Sequence, residues 1–403
     1  MGYLVSRFPS VSQTFILNEL KELEDLGWDV RLLPMIKTSE SVVHPGAAEI
    51  AERALFFGVP TFTCARANIH WAMTKPWTYL KAIGSAFTLP GRKVRFYARG
   101  LWSALWAVMV ASEVEKQGIR HIHAHWATFP AHAALVVSQL TGCTYSFTAH
   151  AHDIYANAYG LQKKIEHALF VVTISDFNKR YLMSRVSGGR FEVIRCGVDT
   201  RRLSFAPRQL SPRSAMRLLA VGSLEEKKGH EYLVDACSRL LANGFSVECR
   251  IVGEGPERSH LERLISELNL RDRVTLIGSL SSDAVVTELN WADVFVMPSV
   301  IAGNGMMEGI PVALMEAMAS GVPVIASGIS GIPELVQHGV SGLLVGEKDA
   351  GAIASAVQTM YGDDRLRQSL SIAARDAVVQ RYDLANNVKT LAAEFEKAVT
   401  RRG

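Results

Sequence analysis

The fold class is decided by the stretch Tyr3-Leu-Val-Ser6, then Thr14-Phe-Ile-Leu-Asn-Glu-Leu-Lys-Glu-Leu-Glu-Asp-Leu26, then Trp28-Asp-Val-Arg-Leu-Leu33. The first and third pieces are short apolar runs of the kind found in buried strands. The middle piece repeats its apolar residues at helical spacing and is followed by Gly27, a common helix terminator. Strand, helix and strand in this order predict a βαβ unit with two parallel strands in one sheet.

The same alternation continues through the chain in two blocks. The first block shows strand or helix patterns at residues 121–125, 131–140, 144–148 and 171–174, and the second at 217–221, 247–252, 274–277, 294–297 and 324–326. A polar segment with two prolines, residues 206–215, lies between them. We therefore predict an α/β protein with two doubly wound, Rossmann-like domains, residues 1–205 and 216–380, joined by a linker at 206–215.

Composition restricts the class of protein further. The 403 residues suffice for two domains of about 200 residues each. Five cysteines without a C-x-x-C pair argue against a disulfide framework and a zinc knuckle, so a reducing cytosol is expected. No apolar run reaches the length of a spanning helix, and Met1 leads directly into a first strand rather than a signal peptide. That strand is short, so a few residues are expected to be missing from the true start.

An unusual charge distribution marks one segment of the first block. Residues 54–112 contain no Asp or Glu but carry seven Lys or Arg and four of the seven tryptophans. Basic side chains attract anionic lipid headgroups, and tryptophan favours the membrane interface. We hypothesise that residues 66–106 dock on an anionic membrane surface. The alternative is a basic helical face with its tryptophans packed inward. Nucleic acid is not the expected partner, because no nucleic-acid-binding module accompanies the charge.

The most informative motif is Glu308-Gly-Ile-Pro-Val-Ala-Leu-Met-Glu316, which sets two carboxylates around a Gly-Ile-Pro turn. Pro311 suits the first position of a helix, with Glu308 in the loop before it and Glu316 on its second turn. The free N–H groups and the dipole at the start of that helix favour a phosphate or diphosphate. The pattern suits a diphosphate with a hydroxylated group at each end, as in a nucleotide sugar. A surface helix with two solvated glutamates is the alternative.

Further segments extend this motif into a resemblance that covers nearly the whole chain. They are residues 317–327 with Gly331-Ile-Pro-Glu334, Val221-Gly-Ser-Leu-Glu-Glu-Lys-Lys228-Gly229, Ile251-Val-Gly253-Glu-Gly255-Pro256, residues 273–278 and Cys196-Gly-Val-Asp199. Together they resemble the large retaining GT-B glycosyltransferase family with a Glu-x7-Glu motif, family 4 or group 1. Two further segments resemble the bacterial exopolysaccharide and colanic acid branch of this family. They are Ser-Gln-Thr-Phe-Ile, which follows Phe8-Pro9, and Met307-Glu-Gly-Ile-Pro311.

The resemblance implies a GT-B fold, with two domains facing across a cleft and a closing helix, 381–403, that returns to the first domain. It also implies the donor site. Lys228 would meet the donor diphosphate, Glu308 the transferred sugar and Glu316 the ribose hydroxyls. The family usually has Arg where this chain has Ser223, a loss that Lys227 could partly replace. The remaining donor-site residues are Gly309, Ile310, Val312, Ala313, Gly253, Gly255 and Ile277.

In the first domain, Ser146-Phe-Thr-Ala-His150-Ala-His152-Asp153 resembles the family segment whose histidine reaches the donor sugar. His150 is the first candidate and Asp153 the second. His121, His123 and His125 alternate along a predicted strand and therefore share one face. Such a set could hold zinc, but the family needs no catalytic metal, and His125 is expected to face the cleft.

Near the start of the chain, Ser12 and Thr14 stand where many relatives carry a glycine-rich loop. Either hydroxyl suits a helix cap, and either could also contact the donor or the acceptor.

The resemblance implies an enzyme that moves a hexose from a nucleotide sugar to a lipid-linked saccharide, with retention of configuration and no cofactor. We expect it in the cytoplasm, peripheral on the inner face of the membrane. Two alternatives remain open. A non-catalytic nucleotide-binding relative acting as a scaffold is favoured by Ser223. A nucleotide-sugar epimerase would act without an acceptor and has no reason to carry Glu-x7-Glu.

Overall fold

The computed structural model describes residues 1–9, 14–38, 46–87, 94–156, 158, 160–206 and 215–400. The chain forms two compact units. Met1–Ile194 and Val388–Gly403 make up the first unit, and Arg195–Asn387 make up the second. The C-terminal segment therefore belongs to the first unit. The change of unit at Arg195 precedes the linker expected at 206–215, of which residues 207–214 lie outside the described part of the chain.

The first unit alternates strands and helices as the sequence predicts. Its elements are β1 Gly2–Phe8, α1 Thr14–Asp25, β2 Arg31–Lys37, α2 Ala47–Arg53, α3 Phe62–Thr74, α4 Pro76–Gly84, α5 Val94–Gln117, β3 His121–His125, α6 Phe129–Thr141, β4 Thr144–Ala149, α7 His152–Tyr155, α8 Leu161–His167, β5 Phe170–Thr173, α9 Asp176–Met183 and β6 Phe191–Val193. A short 3-10 turn, Ser85–Phe87, follows α4.

The second unit repeats the alternation. Its elements are β7 Met216–Val221, α10 His230–Ala242, β8 Val247–Val252, α11 Arg258–Glu267, β9 Val274–Gly278, α12 Ser282–Trp291, β10 Val294–Met297, α13 Val312–Ala319, β11 Val324–Ser327, α14 Ile332–Leu335, β12 Leu343–Val345, α15 Ala350–Gly362 and α16 Asp364–Arg381. A 3-10 turn, Glu226–Lys228, precedes α10. The last helix, α17 Leu384–Thr400, runs from this unit into the first.

Within the described residues, each unit contains one six-stranded sheet. The strand order is β2-β1-β3-β4-β5-β6 in the first unit and β12-β11-β10-β7-β8-β9 in the second. Every strand pairing is parallel. Helices cover sheets of this kind on both faces, which explains why strands such as β3, β10 and β11 are buried along their whole length. The predicted α/β class with two Rossmann-like sheets is confirmed.

One predicted strand is displaced along the sequence. The pattern at residues 28–33 predicts a strand that ends before Pro34, whereas β2 runs from Arg31 to Lys37. Pro34 lies within the strand and pairs with Val5 of β1. A proline is tolerated there because β2 is an edge strand, so its missing N–H breaks no ladder. Trp28 lies ahead of the strand, with its ring 5.8 Å from that of Phe395 on α17.

Two composition-based expectations can be compared with the structure. All five cysteines lie in the described part of the chain and none forms a disulfide. Across the residues that the structure describes, no helix combines the length and the apolar character needed to cross a bilayer.

Candidate active site

The charged loops of the second unit lie where its strand order reverses. The chain passes from β7 outward to β8 and β9, then returns to the other side of β7 with β10. In doubly wound sheets, ligands bind beyond the carboxyl ends of the strands at this reversal. Lys228 follows β7 and Glu308 follows β10, so the topology brings both predicted residues to one position on the sheet.

Glu308 lies between two lysines. Its Oε2 is 3.2 Å from Nζ of Lys228, and its Oε1 is 3.4 Å from Nζ of Lys227. Burial alone would raise the pKa of Glu308, but the two ammonium groups outweigh it and hold the pKa below the usual value. Burial would lower the pKa of Lys227, yet Glu308 and Glu225 raise it. The carboxylate and the ammonium of Lys227 are therefore both charged at neutral pH.

The Lys227 ammonium also bears on the missing arginine at Ser223. Ser223 is exposed at the end of β7 and adds no charge. Lys227 supplies a second cation beside Glu308, at a distance comparable with that of Lys228. Sequence reasoning could only suggest this compensation, because neighbouring side chains in an irregular segment have no fixed relative direction. The 3-10 turn Glu226–Lys228 is what aims both lysines at the same carboxylate.

Backbone contacts hold the Glu308 loop against the lysine turn. The Val300 N–H donates to the carbonyl of Lys227 at 2.9 Å, and the Gly303 N–H donates to the Glu226 carboxylate at 2.8 Å. On the other side, the Ile301 N–H donates to the Glu347 carboxylate at 2.7 Å. Glu226 and Glu347 were not among the predicted site residues, since nothing in their local sequence sets them apart from solvated glutamates. They fix the loop that carries Glu308.

The predicted glycines allow close backbone contact between neighbouring loops. A Cβ on Gly253 would lie 1.9 Å from the carbonyl oxygen of Gly222, and one on Gly255 would lie 2.4 Å from that of Leu224. The Gly253 N–H donates to the carbonyl of Gly278 at 2.9 Å, which joins the ends of β8 and β9. The glycines therefore shape the site by packing. Ile277, on β9, is half-buried beside them.

Gly229 joins the lysine turn to α10 and provides a testable prediction. Its φ is +63°, and a Cβ there would lie 2.1 Å from the carbonyl oxygen of Pro298. We expect Gly229→Ala to lower the free energy of unfolding by at least about 2 kcal/mol, because the clash adds to the left-handed strain.

Gly244 is the matched control for that prediction. Its φ is +80°, and a Cβ at this position would have no neighbouring atom within 4 Å. Gly244→Ala should therefore cost only about 1 kcal/mol. Urea unfolding followed by circular dichroism measures both variants. Equal losses in the two variants would contradict the packing role of Gly229.

Helix α13 begins with free N–H groups. In the described part of the chain, the N–H groups of Val312 and Ala313 have no acceptor, and no side chain caps the helix. Pro311, predicted at the first helical position, is instead the N-cap residue: its ψ of 129° is extended, so the helix begins at Val312. Gly309 and Ile310 are buried in the preceding turn. The start of α13 can accept an anion at its positive end.

Glu316 lies on the second turn of α13, as predicted, and is half-buried. Burial raises its pKa to about 7, and the nearby guanidinium of Arg202 only partly opposes this. Hydrogen bonds donated to the carboxylate would lower the pKa again. Two ribose hydroxyls could donate such bonds.

His230, the first residue of α10, was not predicted as part of the site. It is buried, and burial together with the Lys228 charge lowers its pKa to about 4. A neutral imidazole therefore lies behind the lysine turn. Its position directly after a Lys-Gly pair is the signal that sequence reasoning could have used.

In the first unit, the three alternating histidines of β3 share one face of the sheet, as predicted. His121 contacts the hydroxyls of Thr144 and Ser146, each at 2.8 Å. His123 contacts Ser146 at 2.8 Å and Thr148 at 2.9 Å. Burial lowers the pKa of His121 to about 3 and that of His123 well below its usual value. These two imidazoles are neutral structural groups whose polar atoms β4 satisfies.

His125, at the carboxyl end of β3, contacts His150 rather than a hydroxyl of β4. Its Nδ1 lies 3.0 Å from Nε2 of His150, and its Nε2 lies 3.1 Å from Oε1 of Glu19 on α1. The Tyr3 hydroxyl contacts both the Glu19 carboxylate and Nε2 of His125. His125, predicted to face a cleft, is almost fully buried. Glu19 was not predicted.

The cluster around His125 has the residue types of a metal site, so a bound metal ion is an alternative to a hydrogen-bond network. One ligand atom each from Glu19, His123 and His125 lies within 4.8 Å of the others. Both ring nitrogens of His123, however, are hydrogen bonded to Ser146 and Thr148. The contacts are those of a hydrogen-bond network, and the expectation that no metal is needed stays a prediction.

His150 follows β4 and is enclosed by aromatic rings. The rings of Trp126 and Phe15 lie 4.5 and 5.0 Å from it, centroid to centroid. Trp126 has a φ of +82°, a strained value for a large side chain, and this backbone conformation places its indole against His150. Burial lowers the pKa of His150 well below its usual value, and His125 adds to this effect.

Asp153 lies beneath the loops rather than at their surface. Its carboxylate accepts hydrogen bonds from the N–H groups of Ala127 at 2.6 Å and His150 at 3.0 Å. Burial raises its pKa to about 6 against these bonds and the Lys164 charge. Asp153 therefore ties the loop after β3 to the loop after β4 and positions His150. Thr14 begins α1, and Ser12 lies outside the described residues.

The fold is the GT-B fold, and solved structures share it along nearly the whole chain. Sucrose-phosphate synthase from Thermosynechococcus elongatus superposes with a TM-score of 0.74 at 20% identity, covering 99% of each chain. Anabaena HepE in complex with UDP and glucose superposes with a TM-score of 0.71 at 17% identity, covering 98% of this chain and 99% of the other. Identities this low establish the fold alone.

Sequence comparisons establish the family. Residues 206–377 match the family described as Glycosyl transferases group 1, and residues 12–202 match Glycosyltransferase Family 4. The putative colanic acid biosynthesis glycosyltransferase WcaL of Salmonella typhimurium is 30% identical over 396 residues, 95% of this chain and 96% of the relative. The amylovoran biosynthesis glycosyltransferase AmsK of Erwinia amylovora is 36% identical over 52% of this chain and 51% of the relative. The chain belongs to the group 1, family 4 glycosyltransferases.

Proposed function

We propose that this glycosyltransferase moves a hexose from a nucleoside diphosphate sugar to a lipid-linked saccharide during exopolysaccharide assembly, with retention of anomeric configuration. The observation that carries the proposal is the position of Glu308. Its carboxylate lies between two lysine ammonium groups, at the reversal of strand order and just before a helix that no side chain of the described residues caps. The names of WcaL and AmsK support the biosynthetic setting.

The proposed chemistry assigns a task to each group. Lys227, Lys228 and the first N–H groups of α13 would bind the diphosphate and stabilise the charge that it gains on leaving. The acceptor oxygen bonds to the anomeric carbon as the bond from that carbon to the diphosphate oxygen breaks. The diphosphate keeps the electron pair and receives the acceptor's proton. Glu308 would stabilise the positive charge that develops on the sugar, and Glu316 would bind the ribose.

Calorimetric titration of the purified chain with UDP, GDP, ADP and their hexose conjugates tests the donor proposal. The matching monophosphate of each series is the control. In the proposal, the lysine pair and the start of α13 both bind the diphosphate group. The nucleoside diphosphate should therefore bind at least roughly tenfold more tightly than the nucleoside monophosphate. Absence of binding by all three series would favour a non-catalytic scaffold, for which the exposed Ser223 is the supporting feature.

The membrane proposal now rests on exposed apolar side chains rather than on tryptophans in general. Trp71 and Trp106 are buried in the core and Trp102 is half-buried, so inward packing holds for these. Trp77 is 82% exposed and Phe62 is 84% exposed. The basic residues 92 and 93 lie outside the described part of the segment.

Helices α3 and α4 each present apolar and basic side chains along one face. On α3, the exposed Phe62, Arg66, Ile69 and Met73 follow helical spacing, and on α4 so do the exposed Trp77, Leu80 and Lys81. Apolar side chains with flanking cations are typical of helices that lie in the interface of an anionic bilayer. We infer that α3 and α4 are the membrane-contacting part of residues 66–106.

Flotation with phosphatidylglycerol-containing vesicles tests this inference. The triple variant Phe62→Ser, Met73→Ser, Trp77→Ser should bind at least roughly tenfold more weakly than the wild type, since three apolar insertions are lost. The double variant Ile372→Ser, Val379→Ser removes exposed apolar residues of α16 and is the control. Wild-type protein that stays unbound at low salt would contradict the membrane proposal.

A further inference from the structure

We propose that Glu19 is a positioning residue that fixes the tautomers of His125 and, through it, of His150. The proposal rests on three contacts in the first unit. Glu19 contacts His125 and Tyr3 in a partly buried position, and His125 contacts His150 in a buried one. It deepens the proposed function, because His150 is the histidine expected to contact the sugar.

The proton positions follow from the donors available at Nε2 of His125. An ionised carboxylate can only accept hydrogen bonds, and the Tyr3 hydroxyl donates its one hydrogen to Glu19. Both oxygens near Nε2 of His125 therefore act as acceptors towards it. Nε2 of His125 must carry the proton that occupies this contact. In the tautomer that carries its proton on Nε2, Nδ1 is an acceptor.

The tautomer of His125 in turn determines which ring nitrogen of His150 carries a proton. Nδ1 of His125 lies 3.0 Å from Nε2 of His150, so an acceptor at the first atom requires a proton on the second. His150 is neutral, because burial lowers its pKa well below the usual value. Its Nδ1 is then an acceptor, and among the described residues this atom has no hydrogen-bond partner. His150 thus presents an acceptor to a hydroxyl of a sugar.

The surrounding contacts hold the ring of His150 in one orientation. Trp126 and Phe15 enclose the ring, and its backbone N–H is held by Asp153. Flipping the ring by 180° would replace its Nε2 with the carbon Cε1, and Nδ1 of His125 would lose its hydrogen-bond donor. The Glu19 carboxylate therefore acts on His150 over two hydrogen bonds without contacting the sugar itself.

Glu19 occupies a position that its helix otherwise uses for packing. It lies three residues after Ile16 and four before Leu23, both of which are buried. Only 17% of its side chain is exposed. An acidic residue on the apolar face of a helix is costly unless it is paired. His125 and Tyr3 supply that pairing.

Ring-15N histidine NMR of the full chain tests the proton positions directly, with His125→Gln and His150→Gln used for assignment. In the wild type, Nε2 of both rings should show the signature of a protonated nitrogen and Nδ1 that of an unprotonated one. Glu19→Leu should shift both rings towards a mixture of tautomers. Glu19→Gln, whose amide oxygen can still accept, should retain the wild-type pattern.

Kinetics with the donor found by calorimetry test the consequence. Glu19→Leu should lower kcat roughly 10- to 100-fold with a smaller change in KM, and Glu19→Gln should recover most of the loss. Glu24→Leu is the matched control, because Glu24 lies on the same helix but pairs with Arg53 at 3.2 Å. It should change neither the tautomers nor kcat.

Two outcomes would overturn the inference: a wild-type His125 protonated on Nδ1, or tautomers that are the same in Glu19→Leu as in the wild type. Unchanged kcat in a Glu19→Leu variant with altered tautomers would overturn its catalytic consequence. If the wild type transfers no sugar from any donor, the proposed function fails instead, and the NMR experiment still decides the role of Glu19.

Discussion

Glu308→Gln is expected to lower the rate of sugar transfer at least about 100-fold while leaving nucleoside diphosphate binding equal or tighter. The amide keeps the shape of the side chain but loses the charge that would stabilise the developing cation on the sugar. It also releases Lys227 and Lys228, whose ammonium groups lie 3.4 and 3.2 Å from the carboxylate. A diphosphate then no longer competes with Glu308 for them.

Lys228→Ala should show the opposite effect on binding. It removes a cation proposed to contact the diphosphate, so both binding and transfer should weaken, binding by roughly tenfold or more. The two variants together separate the role of the carboxylate from that of the ammonium. If these two residues did not contact the donor, the two variants would not change nucleoside diphosphate binding in opposite directions.

Isothermal calorimetry and initial-rate assays on the same preparations measure both effects. Glu288→Gln is the matched control, because Glu288 also lies in the second unit, is similarly buried and pairs with Arg250 at 3.1 Å. Near-normal transfer by Glu308→Gln, with binding unchanged in Lys228→Ala, would remove these residues from the proposed mechanism.

Acidification from pH 6.5 to 5.5 is expected to destabilise the first unit by about 3 kcal/mol. Burial lowers the pKa of four histidines of this unit, to about 3 for His121 and His132 and well below the usual value for His123 and His150. Each is neutral in the folded state but gains a proton on unfolding below about pH 6.5.

The sign follows from proton binding. Between pH 6.5 and the lowered folded-state pKa values, the unfolded chain binds more protons, so the free energy of unfolding falls as the pH falls. Each histidine contributes roughly 1 kcal/mol over this interval. Asp153 opposes them slightly, because its pKa is raised to about 6 and its folded form gains a proton there. Above pH 6.5 the contribution of the histidines is fully present.

Tryptophan fluorescence during urea unfolding measures this effect, since six of the seven tryptophans lie in the first unit. His123→Gln should reduce the slope of stability against pH below 6.5, whatever its effect on stability at pH 7.5. His167→Gln removes an exposed histidine and is the matched control. A wild-type stability that does not change between pH 7 and 5.5 would contradict the neutral state of the buried histidines.

Periodicity was sufficient to predict most of the fold. The strands at 121–125, 247–252 and 294–297 have the predicted bounds, and α17, Leu384–Thr400, lies within the closing segment 381–403. Apolar runs identify buried parallel strands because both faces of such strands must be covered. Periodicity failed at β2, where the edge position lets the strand continue through Pro34.

The site was predictable only in part. Motif resemblance selected Lys228 and Glu308 as members of one site, and the structure brings their charged groups to 3.2 Å from each other. It selected His150, but with no indication of what orients it. Glu19 escaped notice because an acid within a helical pattern looks like a solvated side chain until the partners on other strands are known.

The order of strands and helices, the parallel sheets and the family can be read from the sequence, since these depend on local periodicity and on motifs along the chain. Which charges meet depends on the tertiary structure. Lys227 pairs with Glu308, Glu19 with His125, and Asp153 with the N–H of Ala127. These pairings join residues far apart in sequence, and their direction depends on burial and on the exit of each loop from its sheet. Local sequence encodes neither.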